Sequence, residues 1–172
     1  DPLGASMGSM TASVSTEIMR QLLLDGTGST LATTVPGQNG AWTFAGSAGQ
    51  RVYLDLSGGT FDLLKAQVSV LKPDGSVLSD WRYCGTSCGF DTTTLPVDGT
   101  YTVALRTSGG VAGSLTAKAW TVPADLSVAV APGDAPSVLT TTVPGQNGVW
   151  TFVGSVGQRV AFGFSGGTLD SL

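Results

Sequence analysis

Residues 33–64 read TTVPGQNGAWTFAGSAGQRVYLDLSGGTFDLL, and residues 141–172 read TTVPGQNGVWTFVGSVGQRVAFGFSGGTLDSL. The two stretches align from end to end without a gap, and 23 of their 32 aligned positions are identical. A period of about one hundred residues is the length of a domain rather than of one solenoid turn. The sequence therefore predicts one complete module over residues 11–122. Residues 123–172 are expected to form a linker and the N-terminal part of a second, truncated repeat.

The differences between the two stretches indicate which side of each strand is buried. Positions 54 and 56 are leucine in the first stretch and phenylalanine at the equivalent positions of the second, so both stay apolar. Positions 53 and 55 change from Tyr and Asp to Ala and Gly. Side chains alternate between the two faces of a β-strand, so drift at every second position is typical of a strand with one buried face.

The same alternation recurs along most of the chain. In residues 101–106, for example, Tyr101, Val103 and Leu105 lie on one side. Short alternating segments separated by Gly-rich and Pro-rich turns indicate a sandwich or barrel. We predict an all-β fold, an antiparallel two-sheet sandwich of the jelly-roll type, repeated in tandem with a period of about 108 residues. The predicted strands are 13–23, 30–35, 41–45, 50–56, 61–71, 76–83, 89–94, 99–106, 113–122, 125–131, 138–143, 149–153 and 158–164.

Residues 15–24, STEIMRQLLL, contain good helix formers and a Ser or Thr that could cap a helix. Their equivalents one repeat later, PADLSVAVAP at 123–132, alternate cleanly between apolar and polar positions. Equivalent positions of a repeat are expected to share one conformation. We therefore predict a strand here, although Arg20 interrupts the apolar pattern.

The composition narrows the classes of function. The chain is 41% hydrophobic and 12% charged, with 25 glycines and a net charge of −4. Only eight Lys and Arg are spread over the chain, so nucleic acids and anionic membrane surfaces are not expected partners. No apolar run approaches the roughly 18 residues of a spanning helix. This profile is typical of a secreted, extracellular or cell-surface β protein. Residues 1–10, DPLGASMGSM, resemble a disordered remnant of cloning.

The chain has two cysteines, Cys84 and Cys88, in the sequence YCGTSCGF. We predict a local disulfide that stiffens a hairpin tip, as expected in an oxidising compartment. The alternative is a pair of free thiols. Zinc is not expected, because the chain has no histidine and two cysteines cannot supply four ligands.

Catalytic residues are not evident, and we predict that the protein is not an enzyme. Without histidine the commonest general base is missing. A carboxylate pair drawn from Asp55, Asp62, Asp80 and Asp91 could in principle support glycoside chemistry. The residue equivalent to Asp55 in the second stretch is a glycine, however, which is unexpected for a catalytic group.

No cofactor is predicted, and calcium is a weak alternative. Asp74, Asp98, Asp125 and Asp134 fall in predicted turns, where oxygen ligands could gather. The chain has no spaced D-x-D-x-D loop, and Asp-Gly turns account for the first two aspartates without an ion.

Three aromatic residues near the cysteines are the predicted ligand contacts. Trp81, Tyr83 and Phe90 flank the Cys84–Cys88 loop and lie outside the duplicated stretch. Aromatic faces beside a stiffened loop could stack on sugar rings or receive a partner protein. The alternative is that some of them close the end of the core, as we expect of the recurring aromatics at positions 42 and 44.

Several stretches together resemble a known family. They are VPGQNGAWTFAGSAGQRVYLDLSGGTF, VLKPDGSVL, FDTTTLPVDGTYTVAL and GSLTAKAWTVPADLSV. They are similar to β-sandwich repeats of large secreted or surface proteins of actinobacteria, which resemble the bacterial pre-peptidase C-terminal (PPC-type) family. The resemblance implies a jelly-roll-like sandwich appended to enzymes, toxins or adhesins, with no catalytic motif of its own. Some relatives bind calcium or matrix polymers, but no calcium motif of this chain can be matched residue by residue.

Two functions follow from these observations. The first is a non-catalytic structural spacer or stalk, with other repeats of the same parent chain as its partners. The alternative is an adhesion module that binds a carbohydrate or an extracellular matrix or surface protein. We also expect residues 141–172, which carry a strongly apolar half-sheet, to pack on strands of the first module or on a second copy in a dimer.

Overall fold

The computed structural model describes residue 12 and residues 14–168. All regular secondary structure in this part of the chain is β-strand, and no helix there is long and apolar enough to cross a membrane. The strands are β1 (Ile18–Gln21), β2 (Ser29–Ala32), β3 (Gly40–Gly46), β4 (Arg51–Ser57), β5 (Ala66–Leu71), β6 (Val77–Tyr83), β7 (Cys88–Thr94), β8 (Gly99–Thr107), β9 (Ser114–Thr121), β10 (Leu126–Ala129) and β11 (Gly148–Thr151).

The strands up to β9 form two sheets. The five-stranded sheet has the order β1-β3-β8-β5-β6, and the four-stranded sheet has the order β2-β9-β4-β7. The predicted all-β class and two-sheet architecture are confirmed. One pairing departs from the purely antiparallel prediction, because β1 joins β3 in parallel.

The alternation in sequence becomes the division between core and surface. On β8, Tyr101, Val103 and Leu105 are fully buried, whereas Thr102 and Ala104 between them are half-exposed. Burial of such side chains is the main favourable term in the folding of a sandwich. The largest members of the core are Leu22, Leu31, Trp42, Phe44, Leu54, Leu56, Phe61, Phe90, Leu95, Tyr101, Leu105 and Leu115.

The N-terminal segment belongs to both sheets. β1 pairs with β3 in the five-stranded sheet, and β2 pairs with β9 in the four-stranded sheet. Between them Leu22 is buried in the core. The strand predicted within residues 13–23 is therefore confirmed over Ile18–Gln21, because the backbone of β3 offers the segment hydrogen bonds that outweigh its helix propensity.

The described residues form two compact units. The first unit extends to Pro123 and includes Val143–Gly145. The second unit consists of Ala124–Thr142 and the described residues from Gln146 onward. The residues predicted to be a cloning remnant, 1–10, lie outside the described part.

The second unit contains two strands, β10 and β11, which pair in parallel. Leu126 on β10 lies opposite Gly148, and in the first unit Ile18 lies opposite Gly40. Leu126 and Gly148 are the repeat equivalents of Ile18 and Gly40, so the register of the two pairs is the same.

Some predicted strands are wrong. Residues 138–143 and 158–164 form no strand, and residues 61–65 lie before the start of β5. The equivalents of the first two segments in the first unit overlap β2 and β4, which are held by β9 and β7. The described second unit has only β10 and β11, so these segments have no ladder to join.

The expectation that residues 141–172 pack on strands of the first module stays a prediction. The side chains of Val149, Trp150 and Phe152 are all partly exposed, as are the aromatic rings at positions 162 and 164. The other expected arrangement, packing on a second copy of the chain, stays a prediction.

Candidate functional site

The predicted site lies where the two sheets end together. β6 is an edge of the five-stranded sheet and β7 is an edge of the four-stranded sheet. The short connection between them is closed by the disulfide Cys84–Cys88, whose prediction is confirmed. A closed loop of five residues restricts the unfolded chain by about 2 kcal/mol. The disulfide therefore holds the two edges in place rather than stabilising the whole unit.

Phe90 belongs to the core. Its side chain is 3% exposed. The guanidinium of Arg82 lies 4.4 Å from the centre of the Phe90 ring and donates a hydrogen bond to the carbonyl oxygen of Gly89. Arg82 on β6 thus binds to β7 across the open side of the sandwich, and this contact seals the phenylalanine from solvent.

Trp81 is half-buried and its ring is already occupied. The guanidinium of Arg106, on β8, lies 4.2 Å from the ring centre. β5 separates β6 from β8 in the sheet, so the pair spans three strands. A sugar ring that stacked on this indole face would have to displace the arginine, so Trp81 is a weaker platform than its position in the sequence indicates.

Tyr83 is the one exposed member of the three predicted contacts. It ends β6, opposite Gln67, and 52% of it is exposed. The structure therefore places the predicted contacts in three different environments. Tyr83 and Trp81 are accessible to different degrees, Phe90 is a core residue, and the three do not form one flat aromatic face.

Three of the carboxylates considered for catalysis, Asp55, Asp80 and Asp91, lie on β4, β6 and β7. Asp55 accepts a hydrogen bond from the Ser57 hydroxyl at 3.3 Å. Burial raises the pKa of the Tyr53 hydroxyl, and the nearby charges of Asp55 and Asp91 add to this effect. Asp80 is exposed on the edge strand. Within the described residues no group of three or more His, Cys, Asp or Glu could hold a metal ion.

The aspartates considered for calcium accept hydrogen bonds from groups of the protein. Asp74 accepts bonds from the Ser76 hydroxyl at 2.6 Å and from the Ser76 amide at 2.9 Å, and these bonds lower the pKa of Asp74 below its ordinary value. Asp98 accepts a bond from the Ala48 amide at 2.8 Å. Asp134 accepts one from the amide of Ala131 and Asp125 accepts one from that of Asn147. Asp74 and Asp134 hold turns, with donors two and three residues away, whereas Asp98 and Asp125 join segments that are distant in sequence.

The motif LPVDGTY is a structural corner. The Tyr101 hydroxyl donates to the Val97 carbonyl oxygen at 2.7 Å, and the Tyr101 ring stacks on Phe44 with centroids 5.4 Å apart. Leu95 is buried beside them. A second motif, GQR, is also structural, because the Gln50 side chain accepts a bond from the Ser47 amide. These motif residues therefore hold turns and strands together.

Gln38 is a buried connection that sequence reasoning missed. Its side-chain oxygen accepts a bond from the Thr34 amide at 3.0 Å, and its nitrogen donates to the Thr16 carbonyl at 2.8 Å. In the second unit Gln146 makes the equivalent bonds to the Thr142 amide and the Ala124 carbonyl, both at 2.9 Å. The signal was present in the sequence as PGQNG, identical in both stretches.

Residues 38–107 match the model of the family described as the bacterial pre-peptidase C-terminal domain. Over these residues the chain is similar to that family. The resemblance drawn from the sequence motifs is thereby confirmed, and the matched segment runs from Gln38, just before β3, to the end of β8. No curated protein matches the chain.

Several solved structures align with part of this chain at low identity. The pre-peptidase C-terminal domain of a collagenase from Bacillus anthracis is 7% identical, with a TM-score of 0.42 over 63% of this chain and 99% of that one. PliG from Aeromonas hydrophila, a periplasmic inhibitor of g-type lysozyme, is 13% identical, with a TM-score of 0.41 over 60% of this chain and 97% of its own. PliG from Salmonella Typhimurium is 14% identical, with a TM-score of 0.41. Structural similarities with TM-scores this low do not indicate a function.

Proposed function

We propose that the protein is a non-catalytic structural spacer in a secreted or surface protein, built from tandem copies of one β-sandwich. Residues 11–122 form one copy in this proposal, and residues 123–172 belong to the next. Its partners are then other copies in the same parent chain. The observation that carries the proposal is the pair Gln38 and Gln146, which make the same two hydrogen bonds in the two units.

The role of the family motifs supports the spacer. In the first unit the residues that identify the family form turns, strand contacts and a buried tyrosine corner, and none of them points to a bound substrate. The chain has no histidine to act as a general base. A disulfide on a small β-sandwich is typical of secreted proteins, which supports an extracellular location.

A second candidate is an adhesion module that binds a glycan or an extracellular protein. The exposure of Tyr83, beside Trp81 on an edge strand, favours it. Aromatic residues with an accessible edge are common in binding surfaces. The stacking of Arg106 on Trp81 weighs against it, because this contact covers one aromatic face.

Binding measurements on the full chain separate the two candidates. We would present the chain to immobilised glycans and matrix proteins, beside the double variant Trp81→Ala, Tyr83→Ala. The double variant Met19→Ala, Leu23→Ala is a matched control, because it removes exposed apolar side chains on and just after β1, at the opposite edge of the five-stranded sheet from β6.

The spacer proposal predicts no saturable binding that depends on Trp81 and Tyr83. The adhesion candidate predicts saturable binding that falls at least about tenfold in the aromatic double variant, since contact residues of this type commonly contribute more than 1 kcal/mol. Binding of that kind, which the control variant Met19→Ala, Leu23→Ala retains, would overturn the spacer proposal.

A further inference from the structure

We propose that the open edge of β11 is a docking site for an antiparallel strand with the side-chain pattern of β8. The sequence GTYTVALRT of β8 defines the partner, with Tyr, Val and Leu at alternate positions and one charge. The inference rests on the proposed repeat relation between the two units. It goes beyond the spacer role by naming what the apolar surface of the second unit binds.

Backbone directions in the first unit show which edge is meant. The amides of Ile18 and Leu22 donate to the carbonyls of Asn39 and Thr43. The odd-numbered residues of β3 therefore direct their backbone groups toward β1, and the even-numbered residues direct theirs toward β8. Consistently, Gly40–Gly46 pair with β8 along their whole length.

In the second unit, β10 pairs with β11 as β1 pairs with β3 in the first. The amides of Leu126 and Val130 donate to the carbonyls of Asn147 and Thr151 at 2.9 and 2.8 Å. The backbone groups of Gly148 and Trp150 consequently point away from β10. In the described part of the chain β11 has a strand partner on one side, β10, and none on the other. An edge of this kind is a template for strand addition.

Side chains identify the strand that fits. In the first unit Trp42 and Phe44 are 0% and 4% exposed, and β8 lies against them with Val103 and Tyr101 at the paired positions. The equivalent Trp150, at 38%, is exposed where Trp42 is covered. A strand with the pattern of β8 would therefore cover apolar surface that the first unit buries in the same way.

The single charged residue in the β8 pattern lies outside the part of the strand that would pair with β11. In the first unit Arg106 lies beyond the paired stretch, since Leu105 is the partner of Gly40 at the end of the ladder. The strand would thus bring no charge against the apolar rings of the second unit. Phe162 lies against Phe152 with centroids 5.3 Å apart, whereas in the first unit the equivalent Phe44 stacks on Tyr101. The incoming tyrosine would therefore compete with Phe162 for the ring of Phe152.

The test uses the full chain and a fluorescent peptide of residues 97–108, VDGTYTVALRTS, whose binding is followed by fluorescence anisotropy. We expect saturable binding. A peptide N-methylated at Val103 loses a hydrogen bond toward β11 and should bind about tenfold more weakly or worse. The matched peptide N-methylated at Ala104 has its altered amide on the opposite edge and should bind as the unmodified peptide does.

Two variants of the chain locate the binding. Phe152→Asp places a charge on the docking surface and should abolish binding of the peptide. Val156→Asp, at a fully exposed turn of the same unit, should leave it unchanged. Absence of saturable binding, equal binding of the two N-methylated peptides, or binding that survives Phe152→Asp would each overturn the proposal.

Self-association is a separate outcome. If analytical ultracentrifugation shows a dimer that Phe152→Asp dissociates and the peptide does not, a second copy of the chain occupies the edge and the proposal is wrong. Failure of strand docking is distinguishable from failure of the spacer proposal, because the latter is decided by binding that depends on Trp81 and Tyr83 in the first unit.

Discussion

Replacing Trp42 with alanine is expected to destabilise the first unit by about 4 kcal/mol, as is typical when a buried tryptophan is truncated. The side chain is fully buried, and its indole nitrogen donates to the Ser29 carbonyl at 2.9 Å. The substitution leaves a cavity between the sheets and an acceptor on β2 without its donor. Both effects weaken the packing of the two sheets against each other, because β2 and β3 belong to different sheets.

Trp150→Ala is the matched control for this prediction. Trp150 occupies the equivalent position in the second unit and donates to the Ser137 hydroxyl at 2.9 Å, but it is partly exposed. We expect the free energy of unfolding, obtained from urea titrations followed by circular dichroism, to fall strongly for Trp42→Ala and to change by less than about 1 kcal/mol for Trp150→Ala. Equal losses for the two variants would show that the second unit is as closed as the first.

The second large effect is expected at Gly59, where alanine should cost about 3 kcal/mol. A Cβ at this position would overlap the Gly85 carbonyl oxygen and would lie 2.9 Å from a methyl carbon of Leu115. The Gly59 amide also donates to the Thr86 carbonyl at 2.8 Å. The obstacle is backbone inside the loop that the disulfide closes, so it cannot move aside as a flexible side chain would.

Two other glycines serve as controls for Gly59→Ala. Gly89, on β7, would meet its nearest atoms at 3.6 and 3.7 Å. Gly167 is the repeat equivalent of Gly59 and would meet nothing within 4 Å. We expect both alanine variants to keep the thermal midpoint of the unmodified chain within a few degrees. An unchanged midpoint for Gly59→Ala as well would mean that the loop of the first unit is not packed as described.

The sequence was sufficient to predict the sandwich because its alternation coincides with burial. Tyr101, Val103 and Leu105 were assigned to one face and are all buried. Comparison with the equivalent segment one repeat later, residues 123–132, was decisive at Ile18–Gln21, where local propensity favours a helix and the chain forms a strand. Alternation of apolar and polar residues indicates which face of a strand is buried. An internal repeat indicates a conformation that local propensity does not predict.

Features that depend on neighbours were not predictable in this way. Residues 158–164 have the alternation of a strand but lack the adjacent strands that hold β4, so pattern alone was insufficient. The packing of Arg106 on Trp81 and of Arg82 on Phe90 joins residues distant in sequence or on different sheets. Nothing in the local sequence separates such contacts from an exposed aromatic face, and only the tertiary structure distinguishes them.

Mechanical unfolding of single chains tests the spacer most directly, because a spacer has to stay folded under tension. With the chain held at its two ends, we expect one cooperative event in which residues 18–122 unfold together. The released length should be about 350 Å, from about 3.3–3.6 Å per extended residue. Extension without a resolved unfolding force, or in many small steps, would contradict a spacer made of independently folded sandwiches.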